Sequence, residues 1–410
     1  MPLKSFKYTR RDFLKRGISG AAGFSLLPIL GKRESQEREC VPRNQSNKKI
    51  IYRALGRTGI KVPLISMNPG RNGNLIHEAL DAGVVYFDTA HFYGGGFDER
   101  IIGEALKERS RDSFFISTKI IGLRDNRTSL PLESVSPTEF KADFFKKVDK
   151  SLQRLQMDYV DILYLHSAEN TELIGLTIVK DLMMELKSKG KTRFLGVSIH
   201  QKEPPLIKAI IEEKIYDVIL TTYNFRQPHR DEVKKAIADA AKSDLGVIAM
   251  KVMAGVYWDR DRKHPINTKA ALKWVLQDQN VHTANISINT FEQLEQNMSV
   301  MEDITLTPEE EADLQFGKNK AFTGLYCAQC GHCRSQCLYK LDIPTVMRSY
   351  MYAYGYKNPA KAKATLQEKN REEITCRGCS TCAVSCTMGF DIPQKSRDII
   401  RILDIPDEFL

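Results

Sequence analysis

Three observations predict an α/β fold built as a (β/α)8 barrel followed by a small, mostly α-helical domain. Short β-rich runs alternate with amphipathic helical segments from Ile50 to about Leu306, polar residues close four of those runs, and a doubled four-cysteine motif follows. The expected boundaries are a leader at 1–31, a linker at 32–49, the barrel at 50–315 and the cysteine-rich domain at 316–410.

The predicted strands are Leu64–Met67, Val84–Thr89, Phe114–Lys119, Tyr159–His166, Thr192–Ile199, Asp217–Tyr223, Gly246–Lys251 and Ala284–Ile288. Between them, Leu75–Ala82, Glu99–Glu108, Thr138–Leu155, Glu172–Ser188, Pro205–Glu213, Arg230–Ala241 and Thr268–Gln277 repeat apolar residues at three- and four-residue spacing, as amphipathic helices do. Gly83, Gly190 and Gly246 are expected where helices stop. An open doubly wound sheet gives similar alternation, so the polar residues carry the choice. Asp88, Lys119, His166 and Ser198 each end an apolar run, and chemistry in a closed barrel collects at the C-terminal ends of its strands.

The 410 residues carry a formal charge of +10, of which roughly +8 falls in the first 49. The rest of the chain is close to neutral, which argues against a nucleic-acid footprint. An apolar fraction of 42% supports a sizeable core. No apolar run approaches the ~20 residues of a membrane span. Eight of the nine cysteines lie between Cys327 and Cys386, with Cys40 alone, so the chain is no disulfide-stapled scaffold.

Thr9-Arg10-Arg11-Asp12-Phe13-Leu14-Lys15 resembles the twin-arginine export consensus, and a moderately apolar stretch follows it to Leu30. The resemblance implies recognition by the twin-arginine export machinery and a periplasmic or other extracytoplasmic location. No clean A-x-A site follows, so imprecise cleavage and an uncleaved membrane anchor both stay open. That route carries folded proteins, which suits clusters assembled in the cytoplasm.

Phe87-Asp88-Thr89-Ala90-His91-Phe92-Tyr93-Gly94 resembles the signature of the aldo-keto reductase family, as do Glu99 with Ile102-Gly103-Glu104-Ala105-Leu106, Ser117-Thr118-Lys119 and Tyr164-Leu165-His166. The resemblance covers about residues 50–306 and implies a catalytic tetrad of Asp88, Tyr93, Lys119 and His166. A free phenol has a pKa near ~10, and an ammonium beside it is expected to lower that value. Asp88 would hold Lys119, Tyr93 would exchange the proton of a carbonyl or alcohol, and His166 would orient the reacting oxygen.

The same resemblance implies a nicotinamide dinucleotide, NAD or NADP, contacted by Ser198, Asn289, Glu292 and Asn297. Several positions depart from the family pattern: Ile199 replaces an asparagine, Leu220 a glutamine, and Met250-Lys251 stand where a stacking tyrosine is common. Around Ser287-Ile288-Asn289-Thr290 the groups that grip a 2′-phosphate are replaced, so NAD, NADP and an altered site all remain open.

Cys327, Cys330, Cys333 and Cys337 follow C-x2-C-x2-C-x3-C spacing, with Asp342-Ile343-Pro344 behind. Cys376, Cys379, Cys382 and Cys386 with Asp391-Ile392-Pro393 repeat the arrangement at one constant offset. This is similar to the bacterial ferredoxin spacing for two [4Fe–4S] clusters. The similarity implies crossed ligation, Cys386 completing the first three thiolates and Cys337 the second three. Zinc is the main alternative, but it has no use for three x2-spaced cysteines plus a fourth, twice over. Helical periodicity at Pro344–Tyr354 and Ala360–Glu373 favours a helical ferredoxin type.

The expected function is an exported oxidoreductase acting on a small carbonyl or alcohol substrate, a sugar among the candidates, with two clusters and a redox partner protein. A non-catalytic electron-transfer subunit that uses the barrel for docking is the competing expectation.

Overall fold

The computed structural model describes residues 50–69, 71–120, 136–259, 261–317 and 324–410. The leader, the linker and Cys40 lie outside the described residues. The described chain opens with a two-stranded antiparallel hairpin, β1 (Tyr52–Ala54) and β2 (Lys61–Pro63). Its turn carries the fully buried Leu55 against Gly246, where an added Cβ would come within 2.7 Å of the leucine side chain. The hairpin thereby packs against the start of a barrel strand, out of reach of any alternation argument because its strands are three residues long.

Eight parallel strands then close a barrel: β3 (Ile65–Pro69), β4 (Tyr86–Asp88), β5 (Phe115–Ile120), β6 (Val160–Leu165), β7 (Thr192–Ile199), β8 (Val218–Thr222), β9 (Gly246–Met250) and β10 (Thr283–Ile288), with β10 pairing β3. Each lies within a residue or two of a predicted run, and the predicted fold class is the one observed. The helices are α1 (Gly73–Asp81), α2 (Phe97–Leu106), α3 (Pro137–Leu155), α4 (Thr171–Gly175), α5 (Thr177–Ser188), α6 (Glu203–Glu213), α7 (Arg230–Lys242), α8 (Thr268–Leu276) and α9 (Phe291–Met298).

Local chemistry accounts for these boundaries. Helix α3 starts where the Ser136 hydroxyl accepts the Glu139 N–H at 3.2 Å and Pro137 presets the first turn. It buries Phe140, Phe144, Val148, Leu152 and Leu155 along one face. Two expectations need correction. The helix read over Glu172–Ser188 is two helices, α4 and α5, because Leu176 between them has extended backbone (φ −64°, ψ 114°). Gly246 is the first residue of β9 instead of a helix stop, and α7 ends two residues before the left-handed Asp244 (φ 58°).

After α10 (Pro308–Gln315) the C-terminal region is helical: α11 (His332–Gln336), α12 (Ile343–Tyr350), α13 (Pro359–Gln367), α14 (Arg371–Ile374) and α15 (Ile392–Ile400). The two Asp-Ile-Pro copies open α12 and α15, proline falling in the first turn of each, and these two helices pack together. The apolar core of this region is continuous with the barrel. Phe225, Ala254, Trp258 and Ile266 from the barrel loops share one buried cluster with Tyr326, Ile343, Met347, Leu366 and Ile392. The region also bonds to the rim: Arg71 donates to the carbonyls of Asp407 (2.9 Å) and Leu410 (3.2 Å), and Lys369 pairs with Glu169. Among the described residues no helix is long and apolar enough to cross a membrane.

Candidate active site at the barrel mouth

Asp88 ends β4, Lys119 lies in β5 and His166 follows β6, so parallel pairing brings all three to the C-terminal mouth. The Asp88 carboxylate pairs with the Lys119 ammonium, accepts the Ser117 hydroxyl at 2.6 Å and accepts the Asn285 amide at 2.8 Å. Lys119 also donates to the Thr89 carbonyl at 2.6 Å. A charge pair this deeply buried holds only because its remaining hydrogen-bonding positions are also filled.

Tyr93 owes its place to the three glycines behind it. Gly94, Gly95 and Gly96 all have left-handed backbone (φ 55°, 63° and 89°), a path that residues with a Cβ rarely take. A Cβ on Gly96 would come within 2.2 Å of the Arg154 guanidinium, which is bonded to the His91 carbonyl and to Glu99. The Tyr93 ring sits 5.9 Å from the His166 ring, which stacks on Phe92 at 5.1 Å. The Lys119 ammonium lies 5.5 Å from the Tyr93 ring centre.

Electrostatics here depart from the expected lowering of the phenol pKa. Burial holds Tyr93 well above its ordinary range, with Tyr352, Asp88 and Glu368 pushing the same way and Arg348 opposing. Lys119 offers the phenol little because its ammonium is already taken by Asp88 and Thr89. Burial, and then the Lys119 charge, keep His166 well below the usual histidine range, so it is a neutral imidazole. The arrangement is a protonated phenol beside a neutral imidazole, suited to donating hydrogen bonds and a proton to a carbonyl oxygen.

These groups line a cavity of about 360 Å³, the size of a small-molecule site. Asp88, Tyr93, Lys119 and His166 all face it, as do Ser198, Asn289 and Asn297. The Ser198 hydroxyl also accepts the Ser167 N–H at 2.9 Å. Glu292 does not join them: it is exposed on the first turn of α9, and its own N–H and the Thr290 hydroxyl lower its pKa there as a cap does. Glu292 therefore stands outside the lining that holds Ser198, Asn289 and Asn297.

Sequence reasoning missed much of the wall. His200, Lys251 and Asn285 come from the barrel, and Tyr352, Gly355, Tyr356, Lys357 and Lys361 come from the C-terminal region. The position of Lys251 directly after β9 could have signalled one of the first group, whereas Asn285 lies inside β10. Nothing local marks the second, which reaches the mouth only through packing of α13 on the Tyr93 turn, where Ala364 joins Ala90, Phe92 and Tyr93 in a small buried cluster.

The cysteines form the second candidate centre. None of the eight is in a disulfide. Cys327, Cys330, Cys333 and Cys386 line one small, largely apolar cavity with Ile343, Pro344, Met347 and Met388. Burial pushes the Cys327 thiol up to about 12 and Cys333 up to about 11, the neighbouring thiols adding to the shift. Close thiols that repel one another when charged are a donor set awaiting cations, and metal binding would displace their protons. The Ser385 N–H donates to the Gln336 side chain at 2.7 Å, so the residues before the two fourth cysteines face each other. Cys337 and Cys376 are half-buried, and Cys379 and Cys382 are exposed. Cys327, Cys330, Cys333 and Cys386, which share one cavity, equal in number the four thiolates that a four-iron cube takes, one at each corner.

Residues 65–268 match the Aldo/keto reductase family, and residues 326–391 match a 4Fe-4S dicluster domain. Among curated relatives, L-galactose dehydrogenase from Arabidopsis thaliana is 24% identical over 62% of this chain and 89% of its own length. L-glyceraldehyde 3-phosphate reductase from Escherichia coli O157:H7 is 23% identical over 64% and 91%. An aldo-keto reductase from Bacillus halodurans in its holo form superposes with a TM-score of 0.52 at 23% identity, over 65% of this chain and 96% of that one. One from Klebsiella pneumoniae, solved with NADPH, gives 0.51 at 22%, over 66% and 95%. At these identities the two structures speak for the fold.

Proposed function

The chain carries an aldo/keto reductase domain and, behind it, a 4Fe–4S dicluster domain, and on that premise we propose that it interconverts a small carbonyl compound and its alcohol by hydride transfer, using Tyr93 as the proton donor and acceptor. The observation that carries this reading is the convergence of Tyr93, Lys119, Asp88 and His166 on one cavity. A nicotinamide dinucleotide held there supplies or takes up the hydride. Ser198, Asn289 and Asn297 are the residues that would hold it.

The chain's own groups do the rest. The neutral imidazole of His166 orients the carbonyl oxygen toward Tyr93. The phenol, kept protonated by burial, gives that oxygen its proton. The Asp88–Lys119 pair lies beside the ring, its ammonium 5.5 Å from the ring centre and held by Asp88 and Thr89. Tyr352, Tyr356 and Lys361 of the C-terminal region narrow the chamber by forming part of its wall. In the direction of alcohol oxidation the same phenolate takes the proton back.

Cys327, Cys330, Cys333 and Cys386 would hold one [4Fe–4S] cluster, and Cys376, Cys379, Cys382 and Cys337 the other. Such clusters pass single electrons, whereas the carbonyl takes both of its electrons as hydride, so the clusters would serve one-electron exchange outside the hydride step. A redox partner protein would then exchange electrons with the exposed cysteine face. The Arg10-Arg11 leader supports export of the folded, loaded protein through the twin-arginine pathway, to work outside the cytoplasm.

Replacement of Tyr93 by Phe tests the reading. Turnover of sugar aldehydes by the cluster-loaded protein should fall at least about 100-fold with the fold intact, and unchanged turnover would remove the tetrad from the mechanism.

A further inference from the structure

Charges around the cavity do not balance. The Lys119 ammonium is matched by Asp88, and the Arg348 guanidinium by Glu368 at 3.2 Å. Lys251 and Lys361 face the same space, and neither has a carboxylate within ion-pair distance among the described residues. Lys251 is 7% exposed, and its ammonium nitrogen, buried at the cavity wall, has no hydrogen-bond partner. Its backbone is left-handed (φ 57°), uncommon for a residue with a side chain, directly after β9. The nearby carboxylate of Glu203 is spent on Gln227 (3.1 Å) and His229 (2.8 Å).

A buried ammonium without a partner is costly. Burial first, then Arg348 and Lys361, push the Lys251 pKa well down, while Glu203 and Cys327 resist. A negatively charged group entering the cavity would remove that cost for Lys251 and screen its repulsion from Lys361. Neutral sugars or aldehydes would not.

We propose that the cavity is an oxyanion-binding chamber, in which a carboxylate or phosphate of the ligand sits against Lys251, with Lys361 of the C-terminal domain as the second cation. The proposal rests on the carbonyl–alcohol reading and narrows its ligand class. The oxyanion has two sources of the same chemistry: an acid group on the substrate or a phosphate of the dinucleotide.

The test is equilibrium binding to the full-length, cluster-loaded chain, independent of turnover. Calorimetry with inorganic phosphate, with glucuronate against glucose, and with NAD⁺ against nicotinamide riboside, which keeps the pyridinium but has no phosphate, isolates the oxyanion. Wild-type protein should bind the oxyanion-bearing member of at least one pair more tightly. Lys251→Gln should weaken that member at least about tenfold, leave the member without an oxyanion unchanged, and be largely restored in Lys251→Arg.

A loss confined to glucuronate assigns the oxyanion to the substrate, and one confined to NAD⁺ assigns it to the cofactor. Equal losses for the members with and without an oxyanion overturn the proposal. So does a Lys251→Gln protein whose cluster midpoint potential shifts while anion binding stays unchanged, because the cluster would then be the counter-ion. Failure of the carbonyl–alcohol reading shows elsewhere, as unaltered turnover in Tyr93→Phe.

Discussion

The Lys361 ammonium lies 5.3 Å from the centre of the Tyr93 ring and 5.1 Å from that of Tyr352, so a residue of the metal-binding domain stands over the phenol of the barrel. An ammonium over aromatic faces is attracted by their quadrupoles. Burial and the neighbouring Lys119 draw the Lys361 pKa down to about 8, against Asp88, Asp98 and Glu368. Lys361 is therefore charged at pH 7 and gives up its proton through pH 8. Anion binding should weaken as pH rises across that range, and Lys361→Met should flatten the profile. Inorganic phosphate affinity from pH 6.5 to 9.5 measures this. The cost of the buried charge is fully present below pH 8 and is relieved between there and the ordinary lysine value.

Asp88→Asn leaves the Lys119 ammonium buried without its counter-charge. Breaking a buried pair by removing one partner costs about 3–5 kcal/mol. The melting temperature of the variant should drop by about 5 °C or more, with turnover lost as well. Thermal melting followed by circular dichroism reads the first, and assay of the surviving folded protein reads the second.

Gly96→Ala tests the turn that presents Tyr93. Its new Cβ meets the Arg154 guanidinium, which the His91 carbonyl and Glu99 hold in place, and its backbone stays left-handed. Strain of about 1–3 kcal/mol should displace the phenol and lower kcat more than it raises KM. A variant with unchanged kcat would show that the turn tolerates a side chain.

Cys386→Ala and Cys337→Ala should each remove about half of the roughly eight irons that two cubes hold, and they should remove different halves. Cys386 shares its cavity with Cys327, Cys330 and Cys333, so its loss should be matched by Cys330→Ala and complemented by Cys379→Ala. Anaerobic iron analysis with electron paramagnetic resonance distinguishes the two clusters.

Much of this was legible in the residues. The eight barrel strands were readable because each is an apolar run closed by a helix signal, and Asp88, Lys119 and His166 showed themselves by ending such runs. The cysteines could be read because metal ligation demands fixed spacing. Other features depend on distant pairing. The β1–β2 hairpin is too short for periodicity, and the exposed place of Glu292 on the first turn of α9, outside the cavity lining, is set by packing. Lys361 reaches Tyr93 through tertiary packing alone. The phenol's proton affinity was misjudged because the sequence shows an ammonium nearby but not that Asp88 and Thr89 have already engaged it.

The apolar seam joining Phe225, Trp258 and Ile266 to Tyr326, Met347 and Ile392 makes the two halves one folding unit. Cutting the gene after residue 315 would strip greasy surface bare instead of releasing a working reductase. The helix that lines the cysteine cavity with Ile343 and Met347 runs on to Tyr352 and Gly355 in the wall of the barrel-mouth cavity, so a disturbance at the thiolates has one continuous stretch of backbone by which to reach the reaction chamber.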